Sequence, residues 1–90
     1  MMQAMQEAGV ALGLDSQEAN EFVLQTALGA STLAKQSDES LETLRMRVTS
    51  PQGTTEQGVK QLELHGMKEM MLKAVKAAKE RAVEMSKVLG

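Results

Sequence analysis

A chain of 90 residues with one aromatic, Phe22, and eight methionines has to build its core from Met, Ala and Leu; it buries only roughly 60–65% of its unfolded surface and reads as one small domain that leans on a partner. The net charge of -2, with acidic and basic residues interspersed, leaves no basic face for a phosphate backbone, and there is no aromatic platform for bases, which argues against nucleic acid. Without cysteine and with His65 the lone histidine, neither a disulfide framework nor a zinc cluster fits within one chain, and with no apolar run near the ~18–20 residues of a membrane span and no basic n-region, the expected compartment is the cytoplasm.

Met1 to Leu12 reads as a helix in which only Gln3, Gln6 and Glu7 are polar, forming one narrow stripe at spacings of three and four. Most of that helix is expected to be buried. Met1 and Met2 stand where Ser, Thr, Asp or Asn would cap a helix, so the segment reads as the back half of a longer one and the chain as a piece of a longer protein. Gly13 offers a left-handed C-cap, and "DSQE", Asp15 to Glu18, gives the next helix an N-cap with a glutamate three residues on. The apolar face of that second helix runs through Ala19, Phe22, Val23, Ala27, Ala30 and Ala34. From Thr26 onward its other side is small or apolar too, with Leu28, Gly29, Ser31 and Leu33, so other helices can approach closely.

"SDES", Ser37 to Ser40, is a polar break that caps a short third helix carrying Leu41, Leu44 and Val48 on one face. Ser50 precedes Pro51 and is pushed out of helical geometry, which ends that helix. Thr54, with Gln57 three positions later, then offers a new N-cap and capping box. The fourth helix, near Thr55 to Leu64, is expected to turn Val59 and Leu62 inward and to stop at Gly66, with His65 as a polar C-terminal cap rather than a base. Met67 to Leu89 is the cleanest amphipathic segment, with Met67, Met70, Met71, Ala74, Val75, Ala78, Ala82, Met85 and Leu89 at helical spacing. Glu69 and Lys73 form a favourable pair on its outer face, and Lys68, Lys73, Lys76 and Lys79 read as a solvated face. No internal repeat or dividing linker is visible. The expected fold class is all-α, a small helical bundle whose apolar surface calls for a second copy.

The stretch "RVTSPQGTTEQG", Arg47 to Gly58, interrupts this helical sequence with its only proline, a glycine and two adjacent threonines. The first N–H groups of a helix lack internal acceptors and the helix dipole is positive there, so a carboxylate or phosphate fits if a glycine lets it come close. Gly53, Thr54 and Thr55 are placed for that, and the hydroxyls of Ser50, Thr54 and Thr55 add donors. A plain connector with a proline stop and a threonine cap accounts for the same residues.

"LRMRVTSPQGTTEQGVKQL", Leu44 to Leu62, resembles the signature of pyrroline-5-carboxylate reductases, and "EAGVALGL", "QTALGAS" and "AVKAAKERAVEMSKVLG" fall in the order and spacing of that family's C-terminal helical domain. Gln52 departs from the pattern, standing where the family usually has the first of two glycines. The resemblance implies reduction of the cyclic imine of pyrroline-5-carboxylate to proline with NADPH or NADH. It further implies a preceding Rossmann domain that holds the NADP or NAD, and residues 1–90 forming a dimerisation and substrate-loop domain that interlocks with its copy as a homodimer. Carried over by position, Val48 lines the pocket, Ser50, Gly53 and Thr54 face the substrate carboxylate, and Thr55 sits near the ring nitrogen as the catalytic position. Hydride attack on C=N needs a positioned, preferably protonated imine, so a hydroxyl that orients the nitrogen can suffice. With no Gly-x-Gly-x-x-Gly and no βαβ pattern, the isolated chain is expected neither to bind NAD(P)H nor to reduce the imine. The alternative reading is a helical interaction module whose loop only connects; titration of Ser50 to Thr55 by proline or an anion separates the two.

Overall fold

The computed structural model describes residues 1–51 and 53–89, with only the backbone of Leu89. Gln52 and the Leu89 side chain, both used in the reading above, lie outside the described residues. The chain forms five helices, α1 (Met2–Ala11), α2 (Ser16–Gln36), α3 (Leu41–Val48), α4 (Thr54–Leu64) and α5 (Met67–Leu89), and no strand among the described residues, so the expected all-α class holds. It divides into two compact units, Met1–Met46 and Arg47–Gly90, whose boundary falls inside α3 rather than at a polar linker. No helix among the described residues is long and apolar enough to cross a membrane.

In the first unit α1 packs on α2 through a tight elbow. Gly13 has φ 116, a left-handed conformation open to glycine and costly for other residues. Its N–H donates to the Val10 carbonyl at 3.1 Å and that of Leu14 to Gly9 at 3.0 Å, the paired bonds of a Schellman ending. The elbow is close: a Cβ on Gly9 would lie 3.3 Å from the Ala19 Cβ and 3.4 Å from a Leu14 methyl. Asp15 then caps α2, its Oδ1 accepting from the Glu18 backbone N–H at 2.9 Å. That hydrogen bond to the charged form holds the Asp15 carboxyl below its ordinary range.

Burial departs from the expectation in a consistent way. Ala19 and Val23 are the buried apolar residues, with Ala27 and Ala34 half-buried behind them, while Phe22 is 61% exposed and Ala30 is exposed as well. No residue of α1 is buried, although most of that helix was expected to be. A period of four along α2 meets one narrow helix face, and a single short neighbour covers only that strip, so the wider apolar face stays open. Gln6, placed by its spacing in a solvent stripe, instead turns to α2, and its Nε2 donates to the Ser16 carbonyl at 3.3 Å; Gln3 donates to Glu7 one turn along.

The break at Ser37 to Ser40 works as read. Ser40 Oγ accepts from the Thr43 backbone N–H at 3.1 Å and caps α3, and Ser37 Oγ accepts from Glu39 N–H at 3.0 Å. Leu44 is half-buried, whereas Leu41 is 74% exposed. In the second unit α4 packs on α5 across Gly66, at φ 75. Val59 is half-buried as expected, but Leu62 is 50% exposed, because α5 covers only part of the α4 face.

Candidate functional site

The second unit opens with the turn that the sequence marked out. α3 stops at Val48, and the Ser50 carbonyl accepts a hydrogen bond from Gly53 N–H at 3.0 Å. Pro51 follows Ser50, and Gly53 closes the turn; proline at the second position and glycine at the fourth are favoured because one presets φ and the other leaves room. Gly53 has φ -82 and ψ 172, extended backbone that any residue adopts. Room is therefore its reason for being glycine. A Cβ there would strike Ser50 Oγ and come within 3.2 Å of the Ser50 carbonyl oxygen.

The start of α4 corrects the sequence reading by one residue. Gly53, not Thr54, is the N-cap, and α4 begins without a side-chain cap. The turn already ends in extended backbone at Gly53, and its carbonyl takes the first helical bond, from Gln57 N–H at 3.3 Å. Thr54 is thus the first helical residue, so the Thr54–Gln57 capping box does not form. The backbone N–H groups of Thr54 and Thr55 precede that first bond, and the carbonyls four residues back from them lie ahead of the helix. With the helix dipole behind them these N–H groups make the mouth of the turn attractive to an anion.

All five residues singled out for the site fall in this unit. Ser50 and Gly53 are joined directly by the turn; Thr54 and Thr55 follow in the first helical turn, both exposed; Val48 ends α3 and is 58% exposed. One further group was passed over. Glu56 sits in the same first turn, its side chain 26% exposed, with Oε1 3.3 Å from Lys60 Nζ. A Glu four residues before a Lys was its visible signal. At the far end of α4 the His65 Nδ1–H donates to the Gln61 carbonyl at 2.9 Å, the C-terminal polar cap anticipated for it.

Comparison with known proteins bears on what this turn belongs to. The family model described as pyrroline-5-carboxylate reductase dimerisation matches residues 1–85. The pyrroline-5-carboxylate reductase of Pseudomonas aeruginosa is 43% identical over 90 residues, which is 100% of this chain and 33% of that protein. That of Synechocystis is 39% identical over 87 residues, 97% of this chain and 33% of that protein. Among solved structures, a pyrroline-5-carboxylate reductase from Coxiella burnetii superposes with a TM-score of 0.86 at 46% identity, covering 92% of this chain and 31% of that one. The Plasmodium falciparum pyrroline carboxylate reductase, crystallised with NADP bound, also gives 0.86, at 34% identity over 89% of this chain and 32% of that one. The chain thus spans about a third of the length of the relatives it matches. Over that third, in fold and in sequence, it belongs to the pyrroline-5-carboxylate reductase dimerisation family.

Proposed function

We propose that residues 1–90 serve as the dimerisation and substrate-loop domain of an enzyme that reduces 1-pyrroline-5-carboxylate to L-proline with NADPH or NADH in the cytoplasm. The observation that carries the reading is the Ser50–Gly53 turn running straight into the N-terminus of α4. The family match supports the reaction class, since the matched proteins are named for it.

The substrate presents a carboxylate and, next to it, a ring C=N. In our reading Ser50, the Gly53 backbone and Thr54 face the carboxylate, Val48 flanks the ring, and the Thr55 hydroxyl orients the ring nitrogen. These groups bind and aim; a well-aimed imine carbon is what an incoming hydride needs, and positioning alone accounts for large rate factors. The residues of this chain do not fit the nicotinamide cofactor itself. Its described part has no strand and its sequence no Gly-x-Gly-x-x-Gly, so a dinucleotide finds no βα turn to hold its pyrophosphate. We place the NADP or NAD on a separate Rossmann domain joined ahead of this one, and a second copy of the chain as the dimer partner.

The test compares the purified 90-residue chain with the same chain joined to such a domain. Oxidation of NAD(P)H, followed by its absorbance with pyrroline-5-carboxylate present, should occur only in the joined protein. Turnover by the 90-residue chain would show that the cofactor site has been misplaced, and a joined, folded protein that binds NAD(P)H yet never reduces the imine would overturn the substrate assignment.

A further inference from the structure

Gly53 differs from the other described glycines in what fills the space of its missing side chain. A Cβ added to Gly13, Gly29 or Gly58 would meet nothing within 4 Å, and one on Gly66 would only touch the Glu69 carboxylate. On Gly53 it would collide with Ser50 Oγ and lie 3.2 Å from the Ser50 carbonyl oxygen. The conformation of Gly53, φ -82 and ψ 172, suits any residue, so the backbone does not ask for glycine. The hydroxyl does. Ser50 Oγ occupies volume that a side chain at position 53 would claim, which seats it against the N-cap of α4.

A serine hydroxyl turns about χ1 between three staggered wells. We infer that the bare Cα of Gly53 is what lets the Ser50 hydroxyl take the well in which it faces the substrate carboxylate, so that Gly53 is a positioning residue acting through Ser50. This rests on the reading that Ser50 faces that carboxylate. A Cβ at position 53 leaves φ and ψ as they are and turns the hydroxyl into another well. That is the easier response, because Oγ is the free end of a short side chain, while the Ser50 carbonyl is tied to Gly53 N–H at 3.0 Å. Gly53→Ala therefore removes the hydroxyl from the carboxylate without replacing Ser50. A glycine kept only for the fit of the turn predicts otherwise. The new Cβ would then act by pressing on the Ser50 carbonyl, which is present whatever side chain stands at position 50, so the damage would be the same with or without the hydroxyl.

The experiment is a double-mutant cycle in the complete reductase, with Ser50→Ala, Gly53→Ala and the double variant. It reads the inhibition constant of L-proline, kcat and KM for pyrroline-5-carboxylate, and the melting temperature. We expect each single variant to weaken L-proline roughly tenfold or more, the scale of one hydrogen bond to a charged group. KM should rise by a similar factor and kcat change far less, since a contact to the carboxylate is made in the ground state and the transition state alike. The double variant should bind L-proline no more weakly than Ser50→Ala alone. With the hydroxyl gone, the nearest side-chain atom to the new methyl is the Cβ of residue 50 at 3.7 Å, an ordinary contact. All three variants should melt close to the parent. A Gly53→Ala enzyme that binds L-proline normally while Ser50→Ala weakens it overturns the inference alone, as does a Gly53→Ala loss of the same size with and without Ser50→Ala. A Gly53→Ala enzyme that loses its fold also overturns it, because the backbone would have given way in place of the hydroxyl. If Ser50→Ala leaves L-proline unaffected, the placement of the carboxylate falls with the inference.

Discussion

At the residue scale the corrected start of α4 sharpens what each threonine can be asked to do. Since Gly53 is the N-cap, Thr54→Ala should not show the ~1 kcal/mol loss that removing a threonine cap brings. We expect melting of the complete enzyme to move by less than ~0.5 kcal/mol, the usual range for a surface change; a loss near 1 kcal/mol would restore Thr54 as the cap. Thr55→Val keeps the shape and removes one hydroxyl. If that hydroxyl orients the ring nitrogen, kcat/KM falls roughly ten- to a hundredfold, the ~1.4–2.7 kcal/mol of one well-placed hydrogen bond in a desolvated site, with stability nearly unchanged. A destabilised but fully active Thr55→Val enzyme would return the loop to a connector. Asp15 makes a prediction in pH instead. Its folded carboxyl is held below the ordinary range by the Glu18 N–H, so the unfolded chain binds the proton first. The stabilisation is therefore complete above the ordinary carboxylate range and is lost as pH falls through the lowered folded value. Asp15→Asn keeps a capping oxygen but no titration, so its melting should lose this component of the acid-side pH dependence. Parallel curves for the two proteins through the acid range would refute the assignment.

At the scale of elements, the helix boundaries were legible because each stop is written in backbone chemistry. Gly13, Asp15, Ser40 and Gly66 each do locally what their residue type favours: a left-handed turn, two side-chain caps and a second left-handed turn. The one boundary misread, Thr54 for Gly53, is where two cap-competent residues stand side by side and the preceding turn decides between them. Faces were harder to read than ends. The apolar spacing of α2 picked out Ala19 and Val23 correctly but also Phe22, because periodicity marks an apolar side without saying how wide a neighbour covers it. The site was legible as a loop, through Ser50, Pro51 and Gly53, while Glu56 was missed because an i,i+4 pair with Lys60 reads as ordinary helix surface. The elbow gives this scale its prediction. Gly13→Ala puts a Cβ on a residue at φ 116, where nothing crowds the new methyl, so the cost is conformational alone. We expect about 1–2 kcal/mol of destabilisation, read by chemical denaturation of the complete enzyme. An unchanged midpoint would mean that the Schellman ending is not what holds α1 against α2.

At the scale of the whole molecule, the burial pattern shows which apolar surface the described residues leave open. Leu28 at 62%, Leu33 at 53%, Met70 at 58% and Val75 at 59% exposure all lie on helices read as apolar-faced, as does Phe22, the sole aromatic, in a shallow hollow with Glu18, Glu21 and Gln25. Burying the half or so of each such side chain that stays in water would contribute roughly 1–2 kcal/mol. Stability of about 5–15 kcal/mol for a whole domain makes forgoing several such contributions hard to sustain. The family to which the chain belongs is named for dimerisation, and a copy of the same chain brings the same apolar faces. We therefore expect dimer association and folding to be linked, so that melting temperature rises with protein concentration. Phe22→Glu and Met70→Glu, which set a charge on these faces, should shift the protein toward monomer in light scattering and lower its melting temperature at fixed concentration. Lys76→Gln, on the polar side of α5, should do neither. A wild-type chain that stays a folded monomer at micromolar concentration, with a melting temperature independent of dilution, would mean that these faces tolerate water and that their apolar character has another purpose.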